Sequence, residues 1–253
     1  MEMITDFMWE EIEKILPKKQ TSIGRPPNDR RKTMNGIFYV LKTGAQWKYL
    51  PKEYGARSSV HGTFMKWARD GVFEQLLEFV AVAYLKGCPQ LPNWFATDTS
   101  SSKAPFAQWG GKNPTDRSKR GIKKGIIVDR KGAPLVVSTG AAHTHDSKFY
   151  KALLLKLKKL PLPELNIMAA DAAYDSADLR KDSKENGFIL LAATNPRRKK
   201  GQRLYKPPCR WVVERTFGWF NWHRGLKTCW AKTAVAFTAM LAIAASNQLF
   251  RML

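Results

Sequence analysis

The sequence predicts an α/β protein, a mixed sheet flanked by helices, with a helical part at the N-terminus. Three observations predict it. Residues 4–86 carry apolar positions at helical spacing between cap and breaker residues, whereas residues 94–192 alternate short apolar, strand-like runs with helical segments. Two of those runs, Asn-Trp-Phe-Ala-Thr-Asp and Asn-Ile-Met-Ala-Ala-Asp, each close on an acid, Asp98 and Asp171. At 253 residues and 44% hydrophobic content the chain can build one sizeable core plus a small accessory domain, which argues against general disorder.

In order, Ile4, Phe7, Met8, Ile12 and Leu16 form one short helix that Pro17 stops. Asp29 reads as the N-cap of a helix to about Lys42, ended by Gly44. Ser58 or Ser59 is the expected cap of a helix carrying Val60, Phe64 and Trp67, which breaks at Asp70-Gly71 before another helix from Val72 to about Lys86. These elements make a helix-turn-helix-like region whose exposed side carries His61, Lys66 and Arg69, a pattern that suits either a major-groove reader or plain scaffolding. Residues 87–92 mark the boundary between an N-terminal domain, 1–88, and a second domain, 89–253.

Beyond it, strands are expected at Trp94–Thr97, at Gly125–Val128 and Leu135–Thr139 as a hairpin, at Ile167–Ala170 and at Phe188–Ala192. Asp146 or Ser147 is the expected cap of a helix to about Leu160, and Ser176 of another to about Glu185. Strand, hairpin, helix, strand, helix, strand and long helices are the order an RNase H-like fold requires. That fold sets the first and fourth strands side by side with their acidic ends together.

Lys and Arg number 43 against 21 Asp and Glu, a net charge of +22, which predicts attraction to polyanions, nucleic acid first among them. Three cysteines without CxxC spacing suggest neither a disulfide framework nor a zinc site, and a reducing cytoplasm fits. The acidic, amphipathic N-terminus is unlike a secretory signal. The uncharged stretch from Thr233 to Phe250 is Ala-rich and contains Ser246, Asn247 and Gln248, so it reads as a core helix and no membrane partner is expected. In so basic a chain, acids at the mouth of a sheet can hold divalent cations against a phosphate substrate. Glu214, in the aromatic, basic helical stretch Arg-Trp-Val-Val-Glu-Arg, is the third such acid.

These residues resemble the DDE transposases of bacterial insertion sequences, in particular the superfamily of insertion sequences four and five, in a family-five-like form. Gly-Ala-Gln-Trp-Lys-Tyr-Leu-Pro from Gly44 and Phe-Met-Lys-Trp-Ala-Arg-Asp-Gly-Val-Phe-Glu from Phe64 look like that group's helical DNA-binding module. Asp-Thr-Ser-Ser-Ser-Lys-Ala from Asp98 looks like its first acidic motif, Ala-Asp-Ala-Ala-Tyr-Asp-Ser from Ala170 like its second, and Arg-Trp-Val-Val-Glu-Arg-Thr-Phe from Arg210 like its third. Two positions depart. Pro207 stands where the signature has Tyr, and Asn221 where it has Lys or Arg, with Arg224 or His223 as possible replacements.

The resemblance implies metal-dependent cleavage at transposon inverted-repeat ends and transfer of the freed 3′-hydroxyl into target DNA, by a homodimer or higher oligomer on double-stranded DNA in the bacterial cytoplasm. It implies two Mg²⁺ ions about 3.5–4 Å apart, Mn²⁺ able to substitute, with Asp98 bridging both and Asp171 and Glu214 completing one shell each. Arg210, four residues before Glu214, is either an ordinary ion pair with it or a phosphate ligand. Basic runs flank the acidic motifs, and backbone contacts are expected from Lys119, Arg120, Lys123, Lys124, Arg197, Arg198, Arg210, Arg215 and Arg224, besides Lys66 and Arg69. His143, His145 and Asp146 stay off the catalytic set because Asp146 has a ready use as a helix cap. A metal-dependent nuclease, a domesticated descendant and a non-enzymatic DNA-binding protein are the rival readings, the last opposed by acids clustered beside DNA phosphates.

Overall fold

The computed structural model describes residues 4–18, 28–88, 93–194, 205–208 and 210–253. Its N-terminal part is α1 (Asp6–Ile15), α2 (Arg30–Thr43), α3 (Arg57–Arg69) and α4 (Val72–Gly87), with two single 3-10 turns between α2 and α3. Asp29 accepts from Lys32 N as the N-cap of α2, and Gly44 ends that helix at φ +68°, a left-handed turn a side chain would strain. The start of α3 differs from expectation. Ala56 stands at the cap without a side-chain bond, and Ser58 and Ser59 lie inside the first turn.

The sheet comprises β1 (Trp94–Lys103), β2 (Gly111–Lys112), β3 (Arg120–Asp129), β4 (Pro134–Ala141), β5 (Asn166–Ala170) and β6 (Phe188–Ala192). Its order is β2-β3-β1-β5-β6, with β4 also paired to β3. β1 runs antiparallel to β3 and parallel to β5, and β6 is parallel to β5. This is the RNase H-like arrangement. The strands β1 and β3 are longer than their apolar runs because their polar ends, Ser100–Lys103 and Arg120–Lys124, pair with each other.

Helices α5 (Asp146–Leu157) and α6 (Ala177–Glu185) pack on the sheet beside β3, β4 and β6. Phe149 of α5 presses so closely on the strands that a Cβ on Gly140 would stand 2.9 Å from its ring. α7 (Trp211–Asn221), α8 (Arg224–Lys227) and α9 (Ala234–Phe250) follow. α9 is buried almost all round, in keeping with its apolar circumference, and packs between α4 and β4. No described helix is long and apolar enough to cross a membrane.

One continuous apolar core runs from Ile4 to Phe250 through both parts of the chain, with Phe7 edge-on to Phe250 at 6.1 Å. A polar tie crosses it. Asp129, 1% exposed, accepts from Tyr84 Oη at 2.8 Å and from the amides of Lys131 and Ala133, so α4 is bonded to the β3–β4 turn. Tyr84→Phe should leave that carboxylate oxygen unpaired and cost about 1–3 kcal/mol, measured as a lower urea midpoint at unchanged m-value. An unchanged midpoint would show the tie to be redundant.

Candidate active site

The acids meet because of strand register. β1 and β5 pair Trp94 with Ile167 and Ala96 with Ala169, and Asp98 and Asp171 each lie two residues further on, at the same end of adjacent parallel strands. Asp171 leaves its strand at once, and its Oδ1 accepts from Ala173 N at 2.9 Å as the cap of a 3-10 turn. Asp171 is therefore a strand-end turn residue and at the same time lies at the sheet end that carries Asp98. Asp98 accepts from Thr99 N at 2.7 Å through Oδ1 and from Arg210 through Oδ2 at 3.4 Å. Arg210 reaches Glu214 Oε1 with its other amine at 2.6 Å, so one guanidinium spans Asp98 and Glu214 and draws α7 to the sheet.

Asp98 is pushed up to about 6, first by desolvation and then by the Asp171 and Asp146 charges, against the Thr99 amide and Arg210. Tyr174, wholly buried, is raised by burial and by the same three carboxylates, Asp98, Asp146 and Asp171. Three negative groups therefore crowd one end of the sheet. Among the described residues no three His, Cys, Asp or Glu side chains are close enough to hold a metal ion as they stand. The Arg210 charge already lies between two of the acids.

Sequence reasoning missed Asp146's part. The cap of α5 is His145, whose ring nitrogen accepts from Ser147 N, and Asp146 occupies the first turn with its carboxylate turned to the sheet. There it accepts from Thr99 Oγ1 at 2.7 Å and Lys123 Nζ at 2.9 Å. The alternation of β3, which puts Lys123 and Lys124 on opposite faces, was the available signal.

Comparison with known proteins places the chain in a family. Residues 89–247 match the family "Transposase DDE domain", and residues 4–77 match "Putative transposase of IS4/5 family". The chain belongs to the DDE transposases. It is 31% identical to "Putative transposase for insertion sequence element IS402" of Burkholderia cepacia over 146 residues, 54% of this chain and 68% of that protein. It is 35% identical to "Insertion element IS402 uncharacterized 16.2 kDa protein" of the same organism over 109 residues, 40% of this chain and 74% of that one. Among solved structures it aligns with a piggyBac transposase synaptic complex with hairpin DNA at 13% identity, covering 94% of this chain and 69% of that one, with a TM-score of 0.47. A pre-cleavage Mos1 transpososome aligns at 11% identity over 92% and 81%, with a TM-score of 0.29. The fold assignment rests on the sheet order rather than on these distant likenesses.

DDE transposases generally use divalent metals. An all-carboxylate donor set suits Mg²⁺ or Mn²⁺, and a guanidinium bridging Asp98 and Glu214 stands in for a cation at that place, so the residues fit the group.

The transposase's basic residues divide by location. Lys66, Arg69, Lys119, Arg120 and Arg224 are exposed, although Arg120 also donates to the Ala107 and Gln108 carbonyls. Lys124 corrects the expectation of a DNA contact. It is 1% exposed, lowered to about 8 by burial, and its ammonium lies 3.4 Å from Leu226 O. Lys123 is committed to Asp146. Arg215 is held within the protein, its guanidinium between the rings of Trp211 and Trp219 and donating to Lys131 O at 2.6 Å. Arg197 and Arg198 lie outside the described residues. Of the two bases near the departure at Asn221, His223 is pushed down to about 4 by burial, and Arg224 is exposed. Trp222, 82% exposed, and Trp230 line an open cleft of about 680 Å³ with Arg224 and Lys227.

The raised Asp98 pKa has a stability consequence in the metal-free protein. The folded state keeps a proton up to about pH 6 that the unfolded chain releases near 3.8, so the associated stability is lost as pH rises through that window. Asp98→Asn, which cannot ionise, should gain melting temperature relative to wild type between pH 4 and pH 7. A constant difference between the two melting curves over that range would mean the carboxylate is not desolvated.

Proposed function

We propose that this transposase cleaves DNA at the inverted-repeat ends of an insertion sequence and joins the freed 3′-hydroxyl to target DNA, with Asp98, Asp171 and Glu214 as the metal-holding carboxylates. The observation that carries the reading is the parallel pairing of β1 with β5, which puts Asp98 beside Asp171 while Arg210 ties Glu214 to Asp98. Two bound Mg²⁺, or Mn²⁺ in their place, supply activation of the attacking oxygen and stabilisation of the charge that develops on the phosphate.

The chain's own residues do the rest. The desolvated Asp98 and the half-buried Asp171 present carboxylate oxygens from a rigid sheet, and Glu214 does so from the first turn of α7. Released from the two acids, Arg210 offers a planar pair of N–H donors to a phosphate. The exposed bases Lys66, Arg69, Lys119, Arg120 and Arg224 bind the DNA backbone. In this reading residues 1–88 are the end-binding part and residues 89–253 the catalytic part. Two ends require at least two copies of the chain, acting in the cytoplasm on chromosomal DNA.

The deciding experiment is an in-vitro joining assay with Mg²⁺, an oligonucleotide carrying the inverted repeat that flanks the gene, and a supercoiled plasmid. Joined products that vanish with EDTA and in Asp98→Ala, Asp171→Ala and Glu214→Ala, with DNA binding retained, are expected. Cleavage without joining would make the chain a nuclease, and full joining by any one variant would remove that residue from the metal site. In salt-dependent binding, Arg224→Ala should weaken affinity for all sequences and reduce the salt slope by about 1, whereas Lys124→Met should leave both unchanged. A lowered slope in Lys124→Met would put that lysine back on the DNA.

A further inference from the structure

We propose that Asp146 is a positioning residue for Asp98, acting through the side chain of Thr99 and held in place by Lys123. The inference rests on Asp98 being a metal-holding carboxylate. Thr99 links the two acids through two different groups. Its backbone N–H donates to Asp98 Oδ1 at 2.7 Å, and its hydroxyl donates to Asp146 Oδ1 at 2.7 Å. Fixing the hydroxyl fixes the residue whose amide orients the carboxylate.

Asp146 is in turn anchored. Lys123 Nζ reaches its Oδ1 at 2.9 Å and also donates to Thr144 O at 2.9 Å, so one ammonium joins β3 to the turn that leads into α5. Both side chains are mostly shielded, at 15% and 24% exposure, where a charge-assisted bond is stronger than on the surface. Helix capping does not account for Asp146, because His145 fills that role. Nor does chance surface pairing, because one carboxylate oxygen serves two donors from two different strands, β1 and β3.

The arrangement matters because of Arg210. Among the described residues Asp98 has two donors, the Thr99 amide and the Arg210 guanidinium. Once Arg210 turns to a phosphate, the Thr99 amide is the one that remains. Partners behind a ligating group of this kind typically change metal affinity about 10- to 100-fold when removed.

The test is a Mn²⁺ titration of the full chain followed by electron paramagnetic resonance, which needs no turnover. Thr99→Val keeps the shape and the backbone amide and removes the hydroxyl, and it should weaken the Asp98-dependent Mn²⁺ binding about tenfold or more. Thr99→Ser should restore it, a rescue that a purely structural role for the threonine methyl would not give. Asp146→Ala should match Thr99→Val, and Asp146→Asn, which keeps an oxygen acceptor for the hydroxyl, should fall between Asp146→Ala and wild type. Wild-type Mn²⁺ affinity in folded Thr99→Val, or in folded Asp146→Ala, would overturn the inference and leave the catalytic reading standing. Mn²⁺ binding by wild type that Asp98→Ala does not reduce would remove both.

Discussion

Parallel pairing of β1 with β5 is the constraint on which the rest of the structure depends. It places Asp98 and Asp171 at one sheet end, where burial and then the Asp171 charge disfavour the charged form of Asp98. The sheet tolerates this because the strands are fixed elsewhere. β1 is held by β3 from Phe95 to Lys103, β5 is held by β6, and the apolar runs of β1, β3 and β5 are largely buried. Stability comes from the core, which leaves the ends of the strands free to carry an arrangement that is unfavourable by itself.

Neighbouring cations offset that cost in two places. Arg210 spans Asp98 and Glu214, and Lys123 neutralises Asp146, so each acid except Asp171 has a positive partner within 3.4 Å. Asp171 instead leans on a backbone amide. The two cations differ in commitment. Lys123 is shielded and bonded to a main-chain carbonyl as well, whereas Arg210 is more exposed and holds Asp98 at a longer distance. A site that must admit both a cation and a phosphate needs one fixed charge to preserve its shape and one able to move. In the proposed reading Lys123 serves as the fixed charge and Arg210 as the one that turns to the phosphate.

Much of this was legible in the sequence because short apolar runs ending on an acid carry their own meaning. Strand identity, the acidic ends and the order of elements all follow from local pattern, and β6 is placed residue for residue. What escaped was what depends on neighbours distant in sequence. Gly111–Lys112 is a strand only because β3 lies beside it. The polar half of β1 has no apolar pattern to betray it. Lys124 looks like one of a run of bases, yet strand alternation turns it inward, away from Lys123. Asp146 reads as a cap by local rule, and only the packing of α5 on β1 and β3 shows that a histidine has taken that task. Glu214 and Arg210 were open between an ion pair and functional roles, and the structure shows the ion pair to be one edge of a larger bridge.

The same packing joins the N-terminal helices to the acids. A Cβ on Gly225 of α8 would lie 2.9 Å from Leu41 O, and one on Gly44 would lie 3.1 Å from Arg224 Cβ, so α2 and α8 meet almost backbone to backbone. α8 follows α7 after Trp222 and His223, and α7 carries Arg210's partner Glu214. The segment beyond α8 then returns to the sheet, where Thr228 bridges Lys103 and Cys229 N donates to Lys103 O, five residues from Asp98 along β1. The end of α2 is therefore packed against α8, which lies in the chain between α7, the bearer of Glu214, and the segment that rejoins β1 near Asp98. The helical part thus shares one packed core with the element that carries the acids rather than hanging on a loose tether.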